Sequence, residues 1–138
     1  MIYSSMRSKD ISILIVDDNL HFIHRMAILF GELNDRVQIY SAGSYEEALK
    51  QLDSRKHDTV LLDINLPDRN GIALLKKIVE RNCQCKVIML SNNSADYYRR
   101  QCKKLGAIHF LDKTTEFHLA PSIVTEAVLN SPHPHTQC

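Results

Sequence analysis

The sequence predicts an α/β fold in which helices cover both faces of a parallel sheet, and three observations predict it. Short apolar runs at 11–16, 37–40, 59–62, 86–90 and 107–111 have the length and β-branched content of strands buried on both sides. Between them lie segments whose apolar residues recur every three or four positions, the spacing of one helical face. No repeat, linker or second domain interrupts the alternation, and strand–helix alternation of this kind implies parallel strands joined by helical crossovers.

The bulk numbers agree with a single domain spanning 1–138. Its core lies at about 10–130, with loose tails at 1–9 and 131–138. Apolar residues at 44% and charged residues at 24% are ordinary globular values and exclude a disordered chain. A net charge of +1 gives no electrostatic case for direct nucleic-acid or membrane binding. No apolar run approaches the roughly 18 to 20 residues that span a bilayer. The polar N-terminus lacks a signal-peptide core, so the expected location is cytoplasmic. Cys83 and Cys85 do not have the Cys-x-x-Cys spacing of redox or zinc sites, and with Cys102 and Cys138 they read as reduced thiols. His133, His135 and Cys138 lie close together, but Pro132 and Pro134 make that tail frayed and unsuited to a functional metal site.

Taken in order, the run 11–16 ends on two acids, Asp17 and Asp18, and Asn19 caps a helix whose inward face is Phe22, Met26, Leu29 and Leu33. After the second strand, Ser44 and Glu47 have the capping-box spacing, with Ala48, Leu49 and Leu52 turned inward. The third run ends on Asp63, and Leu66-Pro67 and Asn70-Gly71 force the chain out of extended structure. A helix over 71–81 faces the sheet through Leu74, Leu75 and Ile78. The fourth run ends at Ser91. Ser94 caps the next helix, whose stripe is Ala95, Tyr98, Cys102 and Leu105, stopped by Gly106. The fifth run leads to Asp112 and Lys113. A last helix starts near Pro121 and packs through Ile123, Val124, Ala127 and Val128.

Placed on one sheet, the strand ends gather Asp17, Asp18, Asp63, Ser91 and Lys113 along the carboxyl edge, where open α/β sheets bind ligands. Each has a mundane use alone: an Asp starts a turn, a Ser caps, a Lys is solvated. Their coincidence argues for chemistry. Three carboxylates in a small site repel one another unless a cation joins them, and Mg²⁺ suits carboxylate, carbonyl and water oxygens. Lys113 adds a compact positive charge and Ser91 a hydrogen-bond donor for an anion. These parts fit phosphoryl transfer to Asp63 as a carboxylate nucleophile.

The motifs Ile13-Leu14-Ile15-Val16-Asp17-Asp18, Asp63-Ile64-Asn65-Leu66-Pro67 with Gly71, Ser91, and Phe110-Leu111-Asp112-Lys113 resemble the receiver domain of bacterial two-component response regulators. The resemblance runs from about Asp10 to Asn130. It implies a flavodoxin-like, doubly wound five-stranded sheet in the order 2-1-3-4-5 with five helices. It also implies roles. Asp63 accepts a phosphoryl group from a histidine kinase or phosphotransfer protein. Asp18 and Asp63 ligate Mg²⁺ with the backbone carbonyl of Asn65, and Asp17 helps through water. Ser91 and Lys113 contact the phosphoryl oxygens, and Ser91 and Phe110 form the switch. Two positions depart from the usual pattern: Phe110 replaces a common Tyr, and Thr114 replaces the Pro that often follows the Lys, so a cis peptide is not expected there.

After Asn130 only a short tail remains, which resembles a stand-alone receiver acting through protein contacts rather than through its own DNA-binding domain, a phosphoacceptor switch and not an enzyme. The helix near 95–105 is expected to present Tyr97, Arg99, Arg100, Lys103 and Lys104 away from its apolar stripe. With the fifth strand and last helix it would form a phosphorylation-sensitive surface for a downstream protein or a homodimer. Three rival readings remain. An aspartyl-phosphate hydrolase would want a second Asp two residues after the nucleophile, where Asn19 and Asn65 stand. A mononucleotide or flavin binder would want a Gly/Ser/Thr-rich loop where Asp17-Asp18 stands. A receiver fragment of a DNA-binding transcription regulator would be revealed by the reading frame beyond Cys138.

Overall fold

The computed structural model describes residues 10–33, 36–81, 84–92 and 96–129. Its strands are β1 (Ile11–Val16), β2 (Val37–Ala42), β3 (Thr59–Asp63), β4 (Lys86–Ser91) and β5 (His109–Asp112). Its helices are α1 (Leu20–Leu33), α2 (Tyr45–Ser54), α3 (Gly71–Glu80), α4 (Asp96–Leu105) and α5 (Ala120–Leu129). The strands are all parallel in the order β2-β1-β3-β4-β5. From β1 the chain first steps outward to β2 and then returns across to β3. The carboxyl ends of β1 and β3 therefore flank the point where the winding reverses.

Side chains alternate along a strand, so an unbroken apolar run feeds two cores at once. On one face Ile13, Ile15, Leu61 and Ile88 pack with Phe22, Met26 and Phe30 of α1 and Val124 of α5. On the other, Leu14, Val60, Leu62 and Met89 pack with Ala48 of α2, Leu74 and Ile78 of α3, and Cys102 of α4. Every residue of β3 is buried, Asp63 included. The central strand thus carries a carboxylate into the rim of the hydrophobic interior.

Local signals account for most element ends, with a few shifts. Asn19 caps α1 by accepting the Phe22 N–H at 3.1 Å, and Asn70 caps α3 by accepting the Ile72 N–H at 2.7 Å. Ser44 accepts the Glu47 N–H at 3.1 Å, but Glu47 reaches back to the Gly43 N–H at 2.7 Å rather than to Ser44. β2 runs on to Ala42 because Ser41 and Ala42 still pair with Ile15 and Val16. β5 starts later than the apolar run suggested. Gly106 adopts φ 118°, and the Ala107 N–H still bonds the Cys102 carbonyl at 3.0 Å as part of the helix stop. α5 begins at Ala120 after a 3-10 turn at Phe117–Leu119.

Burial pushes the Cys102 thiol up to about 11, which keeps it protonated. No helix among the described residues is long and apolar enough to cross a membrane. The expected loose tails at 1–9 and 131–138, the Ser94 cap with Ala95, Cys83, Cys138, and the Leu33 side chain lie outside the described residues.

Candidate functional site

The strand ends bring Asp17, Asp63 and Lys113 into contact. Asp17 leaves β1 with its N–H on the Ala42 carbonyl, and its Oδ1 accepts the Asn19 N–H at 2.8 Å. Its Oδ2 lies 2.7 Å from Lys113 Nζ. Asp63 accepts the Asn65 N–H on Oδ1 at 3.2 Å and lies 3.3 Å from the same ammonium through Oδ2. Asp17 and Asp63 are only 1% and 5% exposed, whereas Asp18 faces solvent. One carboxylate oxygen from each of the three lies within 4.8 Å of the others. Lys113 is therefore a bridge between two buried acids, and Asp18 opens the group to the outside.

The electrostatics are out of balance. Burial and then the Asp17 charge raise the Asp63 carboxyl above its ordinary range, and Lys113 with the Asn65 N–H only partly offsets them. For Lys113 burial alone would lower the ammonium. The hydrogen bond to Asp17 and the charges of both acids outweigh it, so the group is held charged above its usual value. One ammonium among three carboxylates leaves room for a further cation. The donors are hard oxygens, which fits Mg²⁺.

The chain around Asp63 is fixed by close approach. Gly71 donates its N–H to the Ile64 carbonyl at 2.6 Å, and Asn65 and Asn70 bridge across the intervening loop. A Cβ at Gly71 would collide with the Asp63 carbonyl oxygen and stand 2.9 Å from the Ile64 Cα, so only glycine fits there. Asn65 is exposed at the mouth of an open cleft with Asp18, Asp68 and Arg69. Ser91 is wholly buried at the end of β4, and its carbonyl accepts the Lys113 N–H at 2.9 Å. Phe110 is turned into the core on β5.

Several contributors were not anticipated. Arg99 does not point away with the other basic residues of α4. Its guanidinium lies 5.1 Å from the Phe110 ring centroid, donates to the Phe110 carbonyl at 3.1 Å and pairs with Glu116 at 3.0 Å. Glu116 also accepts the Asp112 N–H at 2.8 Å, while Asp112 Oδ1 accepts the Thr114 and Thr115 N–H groups. This Asx-type turn shapes the loop where a proline is missing, with a trans peptide after Lys113. Asp68 accepts the Tyr45 and Glu46 N–H groups at 2.8 and 3.1 Å, tying the loop after Asp63 to the start of α2. Those backbone donors hold the Asp68 carboxyl below its ordinary range. Such long-range partners leave little trace in local spacing. The Asp112-to-Glu116 run was the one readable hint.

Residues 13–123 match the response regulator receiver domain. The chain belongs to that family. Receivers are phosphorelay signalling switches, so the function argued from the strand ends is the function of the family. The chain is 33% identical over 116 residues to the transcriptional activator protein ExaE of Pseudomonas putida, covering 84% of this chain and 52% of that protein. It is 36% identical over 103 residues to a positive alginate biosynthesis regulatory protein of Pseudomonas aeruginosa, covering 74% and 41%. The chain thus spans about half the length of the curated relatives it matches. The solved receiver domain of a DNA-binding response regulator from Colwellia psychrerythraea superimposes with a TM-score of 0.82 at 24% identity, covering 88% of this chain and all of that one, a likeness of fold.

Proposed function

We propose that Asp63 is the phosphoacceptor of this receiver and that phosphorylation there changes a protein-interaction surface. The carrying observation is the pair of buried acids bridged by one ammonium, with Asp63 held above the ordinary carboxylate range. A raised value means a more basic, more nucleophilic oxygen once ionised. That oxygen attacks the phosphorus of a phosphohistidine on a histidine kinase or phosphotransfer protein. The P–O bond forms as the P–N bond breaks, and the departing imidazole keeps the electron pair. Lys113 and the Ser91 hydroxyl receive the equatorial oxygens. Mg²⁺, held by Asp18, Asp63 and the Asn65 carbonyl with Asp17 alongside, would supply the positive charge that lets a phosphoryl group approach three acids.

The readout would run through β5 and α4. Lys113, drawn toward a phosphoryl group, is two residues from the β5 residue Leu111 and three from Phe110, whose ring and carbonyl hold Arg99. The surface beyond it, with Tyr97, Arg100, Lys103 and Lys104 exposed on α4, suits an acidic downstream partner or a second copy of the chain. A second reading, that this receiver serves a DNA-binding transcription regulator, is favoured by the transcriptional activator among its relatives and by the half-length they share with it. Neither reading makes the chain a turnover enzyme.

The test is intact-mass analysis after incubation with Mg²⁺ and a small phosphodonor. Wild type gains one phosphoryl group and Asp63→Asn none. Repeated turnover of phosphate monoesters without stable labelling would instead favour a hydrolase.

A further inference from the structure

We infer that Phe22 is a positioning residue for Lys113, holding the ammonium on its ring face while the carboxylates change partners; this rests on the phosphoacceptor reading of Asp63. Lys113 Nζ lies 4.7 Å from the Phe22 ring centroid, and both side chains are nearly buried. Phe22 is placed there by the Asn19 cap, in the first turn of α1 directly after Asp17 and Asp18. Its ring also packs against Phe117, edge-on at 6.4 Å and 69°, which itself carries the Arg25 guanidinium 4.7 Å from its centroid.

The chemistry of the ammonium's other contacts gives the ring its purpose. Lys113 otherwise meets Asp17 Oδ2 and Asp63 Oδ2, both of them oxygens of the acidic cluster. A divalent cation at the cluster draws on the same two carboxylates and weakens both ion pairs, and a phosphoryl group on Asp63 removes that carboxylate's own charge and with it the Asp63 ion pair. A neutral aromatic face attracts a cation through its quadrupole and takes no part in that competition. Phe22 therefore keeps the ammonium beside the two buried acids, desolvated and within reach of an arriving phosphoryl oxygen. An aliphatic residue of similar size would fill the space and leave the ammonium free to swing away.

The test follows Asp63 labelling by a small acyl phosphate with Mg²⁺, in wild type, Phe22→Tyr, Phe22→Leu and proteins carrying mono-, di- and trifluorophenylalanine at position 22. Fluorine drains the ring face of negative charge while nearly preserving its shape. Phe22→Leu should label about fivefold more slowly and Phe22→Tyr within about twofold of wild type, with the fluorinated series falling stepwise between, as expected for a partly desolvated cation–π contact. In the wild type without metal, the Lys113 ε-protons should resonate upfield through the ring current and stay upfield when Mg²⁺ is added. A rate independent of fluorination, or ε-protons that move to the solvated position with Mg²⁺, overturns the inference even if Phe22→Leu is slow. Absence of labelling in wild type would instead bring down the reading of Asp63 itself, a result the fluorinated series cannot mimic.

Discussion

Both edges of the sheet bury titratable groups, yet they are built on opposite principles. At the amino edge, Ser12 exchanges backbone bonds with Asp58, donating its N–H to the carboxylate and accepting from the Asp58 N–H, each at 2.8 Å. The Ser12 hydroxyl lies 2.9 Å from His57 Nδ1, and Tyr40 packs against the imidazole with Arg55 over its own ring. His57 is buried and held below its ordinary value, chiefly by burial, so it sits neutral at physiological pH. At the carboxyl edge two buried acids share one ammonium, with a third acid beside them. Burial alone therefore does not mark the working edge. Uncompensated like charge beside solvent does.

Truncating one cation at each edge is the harshest way to break this comparison. Lys113→Met leaves Asp17 and Asp63 buried without their bridge and should lower stability by about 2–4 kcal/mol at neutral pH, with part of the loss recovered in millimolar Mg²⁺. Arg55→Met, on an exposed guanidinium, should cost less than about 1 kcal/mol and be indifferent to Mg²⁺. Urea midpoints with and without the metal measure both. Equal losses at the two edges would erase the distinction.

A gentler probe is the pH dependence of stability, where the edges should bend in opposite directions. The folded-state value of Asp63 is raised, so its contribution is present below the ordinary carboxylate range and lost as pH climbs through the raised value. Asp63→Asn should thus gain on wild type as pH rises, the gap closing below about pH 4. The value of His57 is lowered, so its contribution is present above about 6.5 and lost as pH falls through the folded value. His57→Gln should gain on wild type as pH drops. Parallel curves for both variants would show that the two edges do not differ in charge state.

The difference also explains what could be read in advance. Strands buried on both sides announce themselves as unbroken apolar runs, and the acids that end β1 and β3 follow from counting to the run's last residue. Parallel topology then carries Asp17, Asp63 and Lys113 to one edge, so the meeting of these three side chains was legible once the fold was. The bracing was not. Phe22 reads as core because its spacing with Met26 is helical, and nothing local says that Lys113 will lie on its face. Arg99 reads as solvated until Glu116 and the Phe110 carbonyl come within reach across the loop after β5. The ends of β2 and β5 also moved, because pairing with Ile15 and Val16 extended one and the positive φ of Gly106 delayed the other.

The most direct measurement of the central claim is the position of the label. An acyl phosphate is reduced by borohydride to the corresponding alcohol, so a loaded aspartate is converted to homoserine. Peptide mass analysis of the Mg²⁺- and phosphodonor-treated protein should then find homoserine at position 63 and nowhere else. Reduction at Asp17 or Asp18 instead, or a label that survives at a hydroxyl or imidazole with residue 63 intact, would contradict the assignment of Asp63 as the group that carries the signal.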